Sequence, residues 1–188
     1  KIGPDDYSAV ADGLNNTPAD YTYSDNTVGE RYIYNTPGDT LRFTNEQDEV
    51  TRSVYDAERR LVQKVEDDQY NPAYDGLNNV TPVDTYSDDT VGYRYIYNSN
   101  DDVIRGTGPT GDTTRYIYDI NKRLIQRIEP EQYNPAYDGL NEATPVDTYS
   151  DDTVGYRYTY DENDNMLKET DPDDNITRYV HDQNGNLI

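Results

Sequence analysis

The run Arg115-Tyr116-Ile117-Tyr118-Asp119-Ile120-Asn121-Lys122-Arg123-Leu124-Ile125-Gln126-Arg127-Ile128 decides the fold. Its first four residues alternate with period two and are rich in β-formers, which marks a strand. Asp119-Ile120-Asn121-Lys122 reads as a turn, because Asp and Asn bond their own backbone and tolerate left-handed conformations. A second strand follows from Arg123 to Ile128. Strand, tight turn and strand make a hairpin, and one hairpin alone is marginal in water. The hairpins must therefore stack on one another. In the related run Arg94-Tyr95-Ile96-Tyr97, Tyr95 and Tyr97 point to one face and Arg94 and Ile96 to the other. Stacking is expected to set tyrosine over tyrosine, at roughly 0.2–1 kcal/mol per cross-strand pair. No segment shows helical periodicity.

The same elements return along the chain. Tyr70-Asn71-Pro72-Ala73-Tyr74-Asp75-Gly76-Leu77 recurs as Tyr133-Asn134-Pro135-Ala136-Tyr137-Asp138-Gly139-Leu140, a shift of 63 residues. That shift also relates Arg52 to Arg115 and Arg178, and Leu61 to Leu124 and Leu187. Between Tyr70–Gly92 and Tyr133–Gly155 only two positions differ, Asn79/Glu142 and Val80/Ala143. Tyr-Asp or Tyr-Asn pairs at Tyr34, Tyr55, Tyr74, Tyr97, Tyr118, Tyr137 and Tyr160, with degenerate copies at Ala11-Asp12 and His181-Asp182, divide each period into three small repeats. The array therefore reads as three super-repeats, 1–63, 64–126 and 127–188. Lys1-Ile2 aligns with Lys64-Val65, so both ends cut through the middle of a unit and suggest a window onto a longer repetitive chain. One member of each triplet, Tyr137 to Gly155, is rich in turn residues and is expected to form a longer loop that makes a recurring surface ridge.

Composition bounds the rest. Of 188 residues only 32% are hydrophobic, and the net charge is −22, values that usually accompany disorder. Twenty-one tyrosines argue against that, since each carries a large apolar ring with a polar tip. The expected core is thin and made mainly of tyrosine. With 38 acidic against 16 basic residues the surface repels nucleic acid and anionic lipid and attracts cations. No stretch approaches the roughly 18 apolar residues of a membrane span, and no signal peptide is visible. The absence of Cys excludes a disulfide framework or a thiolate metal site.

The runs Tyr116-Ile117-Tyr118-Asp119-Ile120-Asn121-Lys122-Arg123-Leu124-Ile125 and Tyr179-Val180-His181-Asp182-Gln183-Asn184-Gly185-Asn186-Leu187-Ile188 resemble the YD repeat of Rhs, teneurin and toxin-complex proteins. The resemblance covers essentially the whole chain. It implies an all-β fold of tandem hairpins joined into a spiralling sheet or solenoid-like rod, in a secreted or cell-surface protein. In Rhs and toxin-complex relatives such a spiral closes into a cocoon around a toxic domain, and in teneurins it forms an adhesive extracellular barrel. The Gly slot after Tyr-Asp holds Gly38 and Gly185 but also Arg59, Asp101, Lys122 and Asp164. Arg and Lys resist left-handed backbone, so a different turn type is expected at Arg59 and Lys122. Near-identical units generate a rod more readily than a closed shell, which favours an extended fibre.

Catalytic chemistry has little to stand on. The single His181 takes the position of Tyr55 and Tyr118 in other units, which is the mark of a substituted core aromatic. Paired carboxylates occur throughout and so select no acid–base site. No catalytic residue, no organic cofactor and no enzymatic activity are expected. Calcium is the one candidate cofactor: Asp171, Asp173 and Asn175 place oxygen atoms at alternate positions, and Asp88-Asp89 recurs in phase as Asp151-Asp152 and Asp25-Asn26. The plainer account of all of them is solvated turn carboxylates. Asn-x-Thr sequons at Asn15, Asn79 and Asn175 fall out of phase with the repeat. The sequence thus predicts a structural segment forming an extended β fibre or scaffold that continues or self-associates end to end as a filament, without nucleic acid or membrane insertion. The alternatives are part of a toxin-encapsulating cocoon, or an adhesin that stacks exposed tyrosines on carbohydrate.

Overall fold

The computed structural model describes residues 29–188, so the Ala11-Asp12 repeat, the Asn15 sequon and the Asp25-Asn26 pair lie outside the described residues. The chain divides into two compact units, Lys1–Gly92 and Tyr93–Ile188. In the first, β1 (Arg31–Tyr34), β2 (Thr40–Thr44), β3 (Val50–Tyr55) and β4 (Leu61–Val65) are hydrogen-bonded in sequence order. In the second, β5 (Tyr93–Tyr97), β6 (Val103–Thr107), β7 (Thr113–Tyr118), β8 (Leu124–Ile128), β9 (Tyr156–Tyr160), β10 (Met166–Thr170) and β11 (Ile176–Arg178) do the same. Every one of these pairings is antiparallel. The only helical pieces described are single 3-10 turns at Asp67–Gln69, Gly76–Asn78 and Gly139–Asn141. The all-β fold of stacked hairpins expected from the alternation is therefore the observed one.

The Tyr-Asp pair has a distinct task for each residue. Asp119 makes the turn between β7 and β8: its Oδ1 accepts the N–H groups of Asn121 and Arg123 at 2.9 and 3.0 Å. Its backbone N–H donates to the Arg123 carbonyl at 2.9 Å, and its own carbonyl accepts the Lys122 N–H at 3.0 Å. Its Oδ2 then accepts from Arg123 Nε at 2.7 Å. Asp56 repeats the pattern, accepting from the N–H groups of Glu58 and Arg60 and from Arg60 Nε. Hydrogen bonds to the carboxylate of this kind contribute roughly 1.5–3 kcal/mol each at most, and less where solvent competes. The tyrosine reaches back to the preceding strand. Tyr118 Oη donates to the Val103 carbonyl at 3.3 Å, and Tyr160 Oη donates to the Leu124 carbonyl at 2.9 Å. One residue closes the hairpin and the other ties it to its neighbour.

Two expectations need correction here. Arg59 and Lys122 do not adopt another turn type: at φ 68° and 65° they take the same left-handed conformation as Asp101 and Asp164, at φ 67° and 65°. Such a backbone costs a non-glycine residue roughly 1–2 kcal/mol, and the side-chain and backbone bonds of Asp56 and Asp119 offset it. The fully buried set is also not tyrosine. It comprises Leu41, Val65 and Ile128 together with Arg52, Arg115, Asp75 and Asp138, with Ile104 nearly so, and the only buried tyrosines described are Tyr86 and Tyr149. Most strand tyrosines stay half-buried, and the hydroxyls of Tyr55, Tyr118 and Tyr160 reach carbonyls of the neighbouring strand. Ring contacts occur both on the strands, where Tyr32 meets Phe43 across β1 and β2, and off them, as Tyr70 and Tyr74 against Tyr86 and Tyr133 and Tyr137 against Tyr149.

Candidate functional site

The long segments after β4 and β8 are more than surface ridges, because each folds back and is pinned to the sheet from which it left. In the second unit the anchor is Arg115 on β7, whose side chain is wholly buried. Its Nε donates to Asp138 Oδ1 at 3.1 Å, and its Nη1 donates to the carbonyls of Ile104 and Tyr116, both at 2.7 Å. Asp138 Oδ1 also accepts the Leu140 N–H, while Oδ2 accepts from Tyr133 Oη at 2.8 Å and Arg105 Nη1 at 3.2 Å. Arg105 continues to Asn141 Oδ1 at 2.8 Å, and Asn141 Nδ2 donates to the Pro135 carbonyl.

The first unit builds the same node. Arg52 Nε donates to Asp75 Oδ1 at 2.8 Å, and its Nη1 donates to the carbonyls of Leu41 and Ser53. Asp75 Oδ2 accepts from Tyr70 Oη at 2.8 Å and Arg42 Nη1 at 3.1 Å. The two copies differ at one arm: Arg52 Nη2 donates to the Thr85 carbonyl, whereas Arg115 Nη2 pairs with the half-exposed Asp147 carboxylate at 2.5 Å.

The electrostatics follow from this geometry. Burial alone would raise the Asp75 carboxyl, but hydrogen bonds from Arg52, Tyr70 and the Leu77 N–H outweigh it and hold the group below the usual carboxylate range. Asp138 is held down in the same way against its burial, by Tyr133, Leu140 and Arg115. Burial also pushes the phenols of Tyr70 and Tyr133 above their ordinary value. Both oxygens of each aspartate are engaged by several donors. A carboxylate so engaged holds strands and loop together through a fixed charge.

Further contacts close the loop. Gln126 Nε2 donates to the carbonyls of Asp151 and Val154, both at 2.9 Å, as Gln63 does to Asp88 and Val91. Tyr149 Oη accepts the Asn134 N–H at 2.9 Å, so its ring spans the loop from one limb to the other. The chain re-enters the sheet at Gly155, with φ of 73° and the Arg127 carbonyl 2.2 Å from where a Cβ would stand. Gly92 meets the Lys64 carbonyl at the same distance. Only glycine fits a left-handed residue pressed so closely against another backbone.

Of the candidate calcium ligands, Asp171, Asn175, Asp88 and Asp151 make side-chain hydrogen bonds within their own turns. Asp171 Oδ1 accepts the N–H groups of Asp173 and Asn175, and its Oδ2 accepts from Asn175 Nδ2, all at 2.9 Å. Asp171 and Asn175 thus meet as partners closing the β10–β11 turn, with Asp173 exposed at its tip. Asp88 and Asp151 each accept from the N–H and hydroxyl of a threonine two residues on, Thr90 and Thr153, while Asp89 and Asp152 face solvent. Among the described residues no group of three or more His, Asp or Glu is arranged to hold a metal ion. His181 stands in the place of Tyr118 as its register indicates. Its shorter side chain leaves Nδ1 buried with no hydrogen-bond partner.

Sequence reasoning noted the recurrence of Arg52 and Arg115 but missed the node. The available signal was an arginine inside a strand, repeated in phase with an aspartate 23 residues later.

No protein family and no curated protein sequence matches the chain. Solved structures do. One is the crystal structure of TcdB2-TccC3-TEV, with 18% identity and a TM-score of 0.51 over 85% of this chain and 7% of that one. Another is TcdB2-TccC3 without its hypervariable C-terminal region, with 18% identity and a TM-score of 0.51 over 89% of this chain and 8% of that one. The chain spans less than a tenth of either. At this identity the likeness is one of fold alone. Among the described residues no helix is long and apolar enough to cross a membrane.

Proposed function

We propose, for a chain that folds like part of TcdB2-TccC3, that it is a wall segment of a large secreted or cell-surface β-repeat protein. Its work is architectural: it adds hairpins in a fixed register and locks every third repeat to the sheet. The observation that carries this reading is the node itself, present at Arg52–Asp75 and again 63 residues later at Arg115–Asp138 with equivalent partners at all but one arm. A wall needs each unit to hold its neighbours in one geometry. A buried ion pair set by two strands and a loop supplies that specificity even where its net contribution to stability is small. The saturated aspartates suit this role better than proton transfer, which supports reading the segment as non-catalytic.

Whether the wall extends as a fibre or curves round a cargo divides two forms of the reading. Near-identical units favour the extended form. The likeness to a toxin complex favours an encapsulating shell. Chains of one, two and three 63-residue units test the common premise by urea denaturation. Midpoints that climb with unit number are expected, and equal midpoints would show that the repeats fold independently and form no wall. Electron microscopy of a longer array then separates the forms, rods supporting the fibre and hollow particles of fixed size the shell.

A further inference from the structure

Two copies of one strand triplet differ at the middle of a sheet face. In the first unit Phe43 on β2 stands between Tyr32 on β1 and Thr51 on β3, and its ring packs on Tyr32 with centroids 4.9 Å apart. In the second unit the same register places Gly106 on β6 between Tyr95 on β5 and Thr114 on β7. Two residues further along β7 the change runs the other way, since Ser53 of the first unit is Tyr116 in the second. A ring has left the middle strand and another stands beyond it. The result is a slot of about 270 Å³ lined by Tyr95, Gly106, Thr114 and Tyr116, with Asp112 at its rim.

The dimensions of the slot follow from the sheet. Neighbouring strands lie about 4.8 Å apart, so β5 and β7 are separated by about 9.6 Å. Strand side chains stand roughly perpendicular to the sheet, and Tyr95 and Tyr116 are both half-buried. A group midway between them lies about 5 Å from each ring, inside the roughly 6 Å over which an aromatic face attracts a cation. Gly106 leaves that space open, because a Cβ built on it would meet nothing nearer than Tyr95 Cδ1 at 3.9 Å.

Charge selects the occupant. The exposed Asp112 carboxylate accepts the Thr110 hydroxyl at 2.5 Å and sets a negative charge at the mouth, in a chain whose net charge is −22. Arg127, the β8 partner of Tyr116, is already neutralised by Glu129 at 2.7 Å. Its guanidinium also lies 4.5 Å from the centroid of the Tyr156 ring, and that of Arg123 lies 5.0 Å from the Tyr160 centroid. Tyrosines of this sheet thus already seat cations.

We propose that the Gly106 slot binds an organic cation of the trimethylammonium class, held between Tyr95 and Tyr116 with Asp112 as its counter-charge. Such a cation is bulky and apolar at its surface, so it fits a slot walled by rings. A calcium ion would require six to eight oxygen ligands in place of its water, and these walls do not supply them. The site is separate from the ion-pair node, so it and the wall reading fail independently.

Titration of choline into the isotope-labelled full chain, followed by NMR of the backbone amides, tests it. Choline is expected to shift the Gly106 amide and its neighbours saturably, with a millimolar dissociation constant. Its neutral isostere, in which a carbon atom replaces the charged nitrogen, should bind several-fold more weakly. Two substitutions that the first unit already carries take the slot apart. Gly106→Phe fills it as Phe43 does and should abolish the shifts of the surrounding amides. Tyr116→Ser removes one wall and should weaken binding several-fold, as should Asp112→Asn at the rim. Circular dichroism checks that each variant keeps its strands. No saturable shift up to about 50 mM choline, equal binding of the neutral isostere, or undiminished binding by the folded Gly106→Phe or Tyr116→Ser chain would each overturn the proposal.

Discussion

The hairpin turns and the pinned loops of this molecule solve one problem, how to hold strands in register, by opposite means. A turn such as Asp119–Arg123 is self-contained: every bond that shapes it lies within five residues. Its left-handed position is filled by Asp101, Lys122 or Arg59 at nearly one φ, and by Gly38 at a φ of 96°, in different copies. The pinned loop gathers partners from two strands and from its own far limb, and its two copies differ at only two positions between Tyr70–Gly92 and Tyr133–Gly155. Local chemistry tolerates exchange because the aspartate or asparagine that nucleates the turn does most of the work. The node does not, because removing any member leaves a buried charge or donor without a partner.

That comparison is easiest to break at the node. Asp138→Ala strands Arg115 in the interior and should cost about 3–5 kcal/mol in urea denaturation. Replacing Arg115 and Asp138 together by leucine should recover most of that loss, since no fully buried charge is then left unpaired and Arg105 and Asp147, which also lose a partner, reach solvent. A double variant as unstable as the single one would count against the ion-pair account. Acid attacks the same node. The folded-state carboxyls of Asp75 and Asp138 are held below their unfolded value, so their contribution is full above about pH 4 and is lost as pH falls through the folded pKa. Denaturation midpoints should therefore drop steeply on the acid side, and the Arg115→Leu/Asp138→Leu variant should show a shallower drop.

Gly155→Ala should come next, at about 2–3 kcal/mol, because it adds both a left-handed alanine and a Cβ against the Arg127 carbonyl. The turns should yield less. Asp119→Ala removes three acceptor contacts in a partly exposed place and should cost about 1 kcal/mol. The smallest effect has the opposite sign: Lys122→Gly relieves left-handed strain and should stabilise by a few tenths to about 1 kcal/mol. If Lys122→Gly destabilised the hairpin, its side chain would be making a contact that outweighs its backbone.

Much of this fold was legible because its rules are local. Alternation marked the strands, Asp and Asn marked the turns, and the 63-residue register told that the copies would match. Boundaries moved by a residue or two: β7 begins at Thr113 rather than Arg115, and β8 at Leu124 rather than Arg123. The conformation of Arg59 and Lys122 was misjudged because intrinsic preference was weighed without the aspartate three residues before, which supplies the compensating bonds. The size and abundance of tyrosine point to a tyrosine core, yet most strand tyrosines stay half-buried while aliphatics and a paired arginine fill the centre. The node stayed hidden because nothing local marks a contact between Arg115 on a strand and Asp138 in a loop. The oxygen atoms at alternate positions are a real pattern, and Asp171 accepts three hydrogen bonds that close its own turn.

The node also fixes the size of the step by which such an array can grow or shrink over generations. Arg42, Arg52 and Asp75 come from successive strands and the following loop, so they span consecutive small repeats. Unequal exchange that added or dropped a single hairpin between them would change the spacing of 23 or 33 residues and leave an arginine buried without its aspartate. Exchange of a whole 63-residue unit restores every spacing. Copy number in this protein is therefore expected to change by whole triplets, with single hairpins removed by selection at the level of folding.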